Sequence, residues 1–269
     1  MPSPVTLTQK LRDEYDGLFK TCAISPARVA EVDGLATRLI RGRARYDAVS
    51  AATGVPWHFI AVIHCMEASL KFDCHLHNGD PLTARTVQVP PNRPPSGAPP
   101  FTWEISATDA LSFERLSGAS DWSLAGTLFR LEKYNGFGYR RLHPEVLTPY
   151  LWSFSQHYTM GKFVRDGEWS PTARSKQCGA AVLLRRLAER REIEFADQPP
   201  PAADDPPPVR YSTGLPADPA AVARAKALQE WLNTFPGIFL RVDGVAAKRT
   251  SDAFRSITGR FLDGDPRGV

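Results

Sequence analysis

The chain has 269 residues, enough for one full hydrophobic core and a small second module, and its 42% hydrophobic content is typical of a globular protein. No apolar run approaches the roughly 20 residues that span a bilayer, so we expect no membrane span. Lys and Arg number 33 against 29 Asp and Glu, a net charge of +4 that favours anionic partners, but no dense basic stripe is present and we expect no nucleic-acid partner.

The N-terminal region is predicted to be helical. The predicted helices run from Leu7 to Phe19, from Ser25 to about Arg41, from Ala44 to Thr53, and onward from Val55. Ser25-Pro26 is typical of an N-cap followed by a proline in the first turn. Residues 1–20 contain no continuous apolar run, so we predict no Sec signal peptide and expect synthesis in the cytoplasm.

The helix that begins at Val55 ends in a single acid. Apolar residues follow one helical face as far as Met66, and Glu67 comes at the end of that face. Apolar neighbours raise the pKa of a carboxyl group by desolvation, so Glu67 is a candidate for an acid that stays protonated. The alternative is an ordinary charge on a helix surface.

A β-hairpin is predicted directly after this helix. Residues 72–76 alternate between apolar and polar side chains, residues 77–80 contain an Asn-Gly turn signal, and residues 86–89 form the predicted return strand. We expect His77 and Thr86 of this hairpin to contact substrate.

The hairpin also contains a second acid, Asp80, in its polar turn, where it should stay ionised. One protonated and one ionised carboxyl group suit the cleavage of a glycosidic bond, because one donates a proton to the leaving oxygen while the other handles water or stabilises positive charge. The alternative role of Asp80 is that of a turn former.

The middle of the chain contains a Pro-rich loop and two predicted helices. Residues 90–100 are predicted to form part of a cleft wall, followed by Trp103, which is either a sugar-stacking aromatic or a loop anchor. Helices are predicted for residues 108–117, with Thr108 as N-cap, and for residues 123–134.

The second of these helices delivers Tyr134 and Asn135 at its end, where two glycines allow a left-handed turn. Tyr139 follows and is expected to add a hydrogen bond to a cleft floor. Residues 143–162 are rich in amphipathic side chains that suit sugar rings, although they are equally typical of a core. The candidates for sugar binding in that segment are Tyr150, Trp152, Ser153 and Tyr158.

The C-terminal part is predicted to be a separate module. A helix is predicted from Thr172 to Arg191, and residues 197–219 form a Pro-rich, extended linker. Helices from Pro219 to Asn233 and from Ser251 to Gly259, the latter with Thr250 as N-cap, follow it. We therefore predict domains at residues 1–196 and 220–269.

Two motifs resemble a known family. Residues 67–72, Glu-Ala-Ser-Leu-Lys-Phe, resemble the E-S-x-F motif of lysozyme-like muramidases and soluble lytic transglycosylases, in which the Glu ends a core helix and is the catalytic acid. Residues 133–139 resemble the Y-N-G/A-G segment, whose Tyr and Asn line the sugar cleft. The chain has Ala68 where Ser is usual and lacks the G-L-M-Q segment of typical transglycosylases.

Two further features extend the resemblance. HNGDPLTART (77–86) together with residues 149–153 is similar to bacterial and phage endolysin-type proteins, and goose-type lysozymes place an acid on the hairpin at a separation comparable with that of Asp80. Asp243-Gly244 followed by Thr250 resembles the D-G-x-x-G-x-x-T signature of the three-helix peptidoglycan-binding domain, with Ala247 in place of its second Gly. The implied fold is mainly α, a lysozyme-like α+β catalytic domain with a small hairpin plus a C-terminal three-helix bundle.

The resemblance implies a monomeric muramidase that acts on peptidoglycan glycan strands after release or export, with Glu67 as general acid and no cofactor or metal. The alternatives are a lytic transglycosylase, in which Glu67 acts alone and Asp80 is structural, and a non-catalytic wall-binding protein on a lysozyme scaffold. The four cysteines have no metal-ligand spacing, and we expect buried thiols rather than a disulfide framework.

Overall fold

The computed structural model describes residues 4–165, 167–195 and 208–268, and the chain divides into two compact units, Met1–Leu187 and Ala188–Val269. The described residues are mainly helical, as predicted. The helices are α1 (Gln9–Thr21), α2 (Val29–Arg41), α3 (Arg43–Thr53), α4 (Trp57–Ala68), α5 (Trp103–Phe113), α6 (Leu124–Asn135), α7 (Gly138–Leu142), α8 (Pro149–Trp152), α9 (Ala180–Glu189), α10 (Pro219–Leu232) and α11 (Lys248–Thr258). The strands are β1 (Lys162–Arg165) and β2 (Glu168–Ser170), which pair antiparallel.

Helix α4 is the central helix of the first unit. Every residue from Trp57 to Ala68 is buried except Glu67, which is half-buried, because the helix is apolar nearly all round and packs against α2 and α3. Among the described residues no single helix is long and apolar enough to cross a membrane, although α3 and α4 together, with a bend of 114° between them, have the required length and composition.

The predicted β-hairpin at residues 72–89 is wrong. The segment forms a single bridge, between Cys74 and Pro81, and otherwise consists of turns and bends. Side-chain hydrogen bonds to the backbone hold this loop in place of a strand ladder, because the Asp80 carboxylate accepts from the Val87 and Gln88 N–H groups that a return strand would use. The two-stranded sheet lies instead at residues 162–170.

Two helix starts also differ from the prediction. Helix α5 begins at Trp103 rather than at Thr108, because the Thr102 hydroxyl caps it by accepting a hydrogen bond from the backbone N–H of Ile105. Helix α9 begins at Ala180 rather than at Thr172.

The second unit contains α10 and α11 around a small apolar core. The described residues 208–268 therefore contain two helices rather than the three predicted. The Gln229 side chain joins α10 to the turn before α11, since its Oε1 accepts from the backbone N–H groups of Asp243 and Gly244 and its Nε2 donates to the Asp243 carboxylate.

Two predictions for this part of the chain have different outcomes. Thr250 lies inside α11 and is not its N-cap. Residues 197–207 of the predicted linker lie outside the described residues, so the domain limits stay a prediction.

Candidate active site

Glu67 lies in the last turn of α4, where the chain leaves the helix abruptly. Ser69 caps the helix in the left-handed conformation, at φ 51°, and Leu70 follows at φ 61°. Side chains other than glycine adopt this conformation at a cost of about 1–2 kcal/mol per residue. The backbone next to the candidate acid is therefore strained, a condition that is common at functional sites.

The Glu67 carboxyl group lies in a largely apolar environment with one strong donor. The Tyr150 hydroxyl donates a 2.8 Å hydrogen bond to Glu67 Oε1. Burial raises the pKa of Glu67 above its usual range, the Tyr150 hydrogen bond opposes that rise, and the charge of Glu114 adds to it. This balance favours the protonated form that a general acid requires.

Two tyrosines from different helices lie near Glu67. Tyr134 comes from the last turn of α6 and Tyr150 from α8, and these two helices pack against each other. Burial, followed by the charge of Glu67, raises the pKa of both phenols, so both stay protonated at neutral pH. The structure thus brings Glu67, Tyr134 and Tyr150 close together, and the sugar-binding role predicted for the two tyrosines stays a prediction.

A cavity of about 460 Å³ lies beside this group. Its wall includes Asn135, Tyr139, Tyr150, Lys162, Arg165 and Gln177. Glu67 itself is not part of the wall, but Tyr150 bonds to its carboxyl group and the Gln177 amide donates a 2.8 Å hydrogen bond to the backbone carbonyl of the preceding residue, Met66. The described residues of the wall include two cationic side chains and no carboxylate, so the cavity suits an anionic or neutral polar ligand.

Asp80 is committed to its own loop. Its Oδ2 accepts hydrogen bonds from the backbone N–H groups of Val87 and Gln88, at 2.8 and 3.1 Å, and from the Asn78 side chain at 3.0 Å. The Val87 hydrogen bond is the main cause that lowers the pKa of Asp80, so the carboxylate is ionised as predicted. The adjacent Gly79, at φ 80°, lies against the Glu67 carbonyl, so this loop packs against the end of α4.

His77 and Thr86, which were predicted to bind substrate, instead form contacts within the protein. His77 Nε2 lies 2.9 Å from the Asp109 carboxylate, which also holds Arg93, and the His77 side chain is almost fully buried. The Thr86 hydroxyl donates to the Pro90 carbonyl at 2.5 Å, and its oxygen accepts from the Arg93 N–H at 2.9 Å. Both side chains hold the loop.

Several predicted sugar-binding residues are instead part of the core. Trp103 is 0% exposed and packs against Tyr46, His64 and Phe72. Trp152 and Ser153 are each 1% exposed. None of these three predicted residues reaches a surface where a sugar could bind. The two tryptophan rings fill the apolar interior of this unit instead.

Tyr158 and Tyr139 are also buried, but they differ in position. The Tyr158 hydroxyl donates to the Gly161 carbonyl at 3.2 Å and accepts from the Ser175 N–H at 3.1 Å, which fixes the loop beside the cavity. Tyr139 lines the cavity and accepts a hydrogen bond from the Phe163 N–H at 3.3 Å. Tyr139 therefore remains a candidate for substrate contact, whereas Tyr158 is a supporting residue.

Sequence reasoning missed two polar residues near Glu67. Glu114 follows α5 and is exposed, and nothing in its local pattern distinguishes it from other surface acids. Gln177 lies in a segment that was predicted to be helical, which hid its place in the cavity wall. Both reach the site only through the tertiary fold.

The chain was compared with profiles of known protein families, with curated proteins and with solved structures, and nothing matches. Among the described residues, no group of three or more His, Cys, Asp or Glu side chains is arranged to hold a metal ion. The four cysteines are free thiols, and Cys22, Cys65 and Cys178 are buried.

Proposed function

We propose that this protein is a peptidoglycan muramidase on a lysozyme-like scaffold, which hydrolyses the β-1,4 bond between N-acetylmuramic acid and N-acetylglucosamine. The observation that supports the proposal most is the state of Glu67, a carboxyl group whose pKa is raised by burial at the end of a core helix and that bonds to a tyrosine of the cavity wall. The motif resemblance supports the same reading.

In the proposed reaction, protonated Glu67 donates its proton to the leaving glycosidic oxygen as the bond to the anomeric carbon breaks. A water molecule then adds to the anomeric carbon and loses a proton, which restores the protonated form of Glu67. The Tyr150 hydroxyl fixes the orientation of the Glu67 carboxyl group and stabilises the carboxylate that remains. Lys162 and Arg165 of the cavity wall suit the carboxylates of the muramyl lactyl group or the stem peptide. Asn135 and Tyr139 supply polar groups for sugar hydroxyls.

The test is Glu67→Gln, assayed on purified cell wall. General acids contribute roughly 10²- to 10⁴-fold to rate, so the variant should lose nearly all activity while its fold and its wall binding remain. Glu145→Gln is the matched control, because Glu145 is an exposed acid of the same unit that forms an ion pair with His143, away from Glu67. A Glu67→Gln variant that keeps more than about a tenth of the rate contradicts the assignment.

A lytic transglycosylase is the second candidate. The Asp80 carboxylate is engaged in its own loop, and the described residues of the cavity wall include no carboxylate to assist Glu67, which suits a reaction in which one acid acts alone. Chromatography of the digested wall separates the candidates, since 1,6-anhydromuramyl ends identify a transglycosylase and reducing ends identify a hydrolase. Asp80→Asn should then lower stability more than rate.

We further propose that the C-terminal unit holds the protein on the wall. Its Asp243-Gly244 turn, fixed by Gln229, matches the motif that suggested a wall-binding module. Tethering to an insoluble polymer raises the effective concentration of the catalytic unit at its substrate.

A further inference from the structure

The C-terminal unit contains a cavity of about 490 Å³ that the proposed active site does not use. This volume lies in the range of small-molecule sites, about 300–1,000 Å³. The cavity lies between α10, α11 and the segments at residues 208–216 and 260–263.

Three arginines surround the cavity. Arg210, Arg224 and Arg260 are all exposed, and Asp263 is the single acid among the residues that line it, so the charge of the lining is three minus one, or +2. Two of these arginines form long ion pairs. Arg224 Nη2 lies 3.5 Å from the Asp218 carboxylate, and Arg260 Nη1 lies 3.8 Å from the Asp263 carboxylate. Exposed ion pairs at such distances are weak, so a bound anion can take the place of the aspartate in each pair.

The floor of the cavity is apolar. Ala225, Ala246, Phe254 and Leu262 line it and are buried, each at most 5% exposed. A bare inorganic anion gains nothing from such a floor, whereas a ligand with a carboxylate next to small alkyl groups satisfies both the arginines and the apolar surface.

We infer that this cavity binds the terminal carboxylate of a short peptide with small aliphatic side chains, and that in the cell wall this peptide is the stem peptide of peptidoglycan. The inference rests on the proposed function, and it names the part of the wall that the C-terminal unit recognises. The guanidinium groups pair with the carboxylate, and the alanine methyl groups contact Phe254 and Leu262.

The experiment uses the full chain carrying Glu67→Gln, so that no cleavage occurs during binding. N-acetyl-D-alanyl-D-alanine is titrated by calorimetry, with the same dipeptide as its C-terminal amide and with inorganic phosphate as comparison ligands. Arg224→Gln is the test variant. Arg241→Gln is the matched control, because Arg241 is an exposed arginine of the same unit that does not line the cavity.

We expect the free carboxylate to bind at least about tenfold more tightly than the amide, since hydrogen bonds to charged groups are the strong ones. Arg224→Gln should weaken that binding about tenfold or more, and Arg241→Gln should leave it unchanged. Equal binding of the acid and the amide overturns the inference, as does binding of phosphate that matches the dipeptide or an equal loss in both variants. The products that the wild-type protein releases from cell wall decide the proposed function separately, so the two ideas fail in different measurements.

Discussion

Replacing Tyr150 by Phe tests whether Glu67 is the titrating acid of the proposed reaction. The substitution removes one hydroxyl group and keeps the aromatic ring of the half-buried Tyr150, so the packing of α8 is preserved. The lost hydroxyl is the one that donates to Glu67 Oε1 at 2.8 Å. That hydrogen bond stabilises the ionised form of Glu67, so its removal raises the pKa of Glu67 further.

The size of the effect follows from the type of bond. A hydrogen bond to a charged group contributes about 1.5–3 kcal/mol, and the lower value applies because Glu67 is only half-buried. About 1.4 kcal/mol corresponds to a tenfold change in an equilibrium constant, so the variant should hold its proton about ten times more strongly.

The assay is kcat/KM against pH on soluble wall fragments. A general acid works in its protonated form, so activity falls as pH rises through the pKa of Glu67. In Tyr150→Phe this basic limb should therefore move to higher pH, while the plateau at low pH falls by less than it does in Glu67→Gln.

Tyr139→Phe is the matched control, because the Tyr139 hydroxyl lies in the same cavity but bonds to the backbone N–H of Phe163. Its basic limb should stay where it is in the wild type. A Tyr150→Phe limb that stays in place, or moves to lower pH, would refute the reasoning, since some group other than Glu67 would then set the profile.

Three further predictions concern the same end of α4. Glu114→Gln removes a negative charge that raises the pKa of Glu67, so the basic limb of the same profile should move to lower pH, opposite to Tyr150→Phe. Glu67→Gln should raise the melting temperature at neutral pH but not below pH 4.5, the ordinary pKa of a Glu. The folded protein holds the Glu67 proton more strongly than the unfolded chain does, so the wild type loses stability as pH rises from 4.5 through the raised pKa of Glu67. Ser69→Gly should raise the free energy of unfolding by about 1 kcal/mol in urea, because φ there is 51°. Ser50→Gly inside α3 should instead lower it by about 0.5 kcal/mol, because Gly is a poorer helix former than Ser.

The sequence predicted the elements that depend on local patterns. The apolar face up to Met66, a single acid after it, and the glycine after Asn135 are local signals, and the structure ends α4 and α6 at these places. Gly138, which was also expected to end α6, instead begins α7. The resemblance predicted Tyr134 beside a sugar cleft, and its amphipathic side chain made Tyr150 a sugar-binding candidate. The hydrogen bond between Tyr150 and Glu67 was not predicted, because no local pattern states how α6 and α8 pack against each other.

The sequence did not predict how the loop after α4 is held. Alternation in residues 72–76 is a strand signal only if a partner strand supplies backbone donors. Asp80 takes the N–H groups of Val87 and Gln88 with its side chain, which removes them from any ladder. The sequence also did not show that Trp103 is buried. An aromatic residue after a Pro-rich loop has the same sequence pattern whether it stacks on a sugar or fills a core.

The chemistry of Glu67 depends on a balance between burial and one hydrogen bond, and this balance is set from outside α4. The opposing hydroxyl comes from α8, a helix of four residues. A side chain on Gly179 would overlap the Leu151 carbonyl, so the close approach of the chain before α9 fixes where α8 lies. The proton affinity of the candidate acid is therefore controlled by backbone packing more than a hundred residues away in sequence, as positions 67 and 179 show.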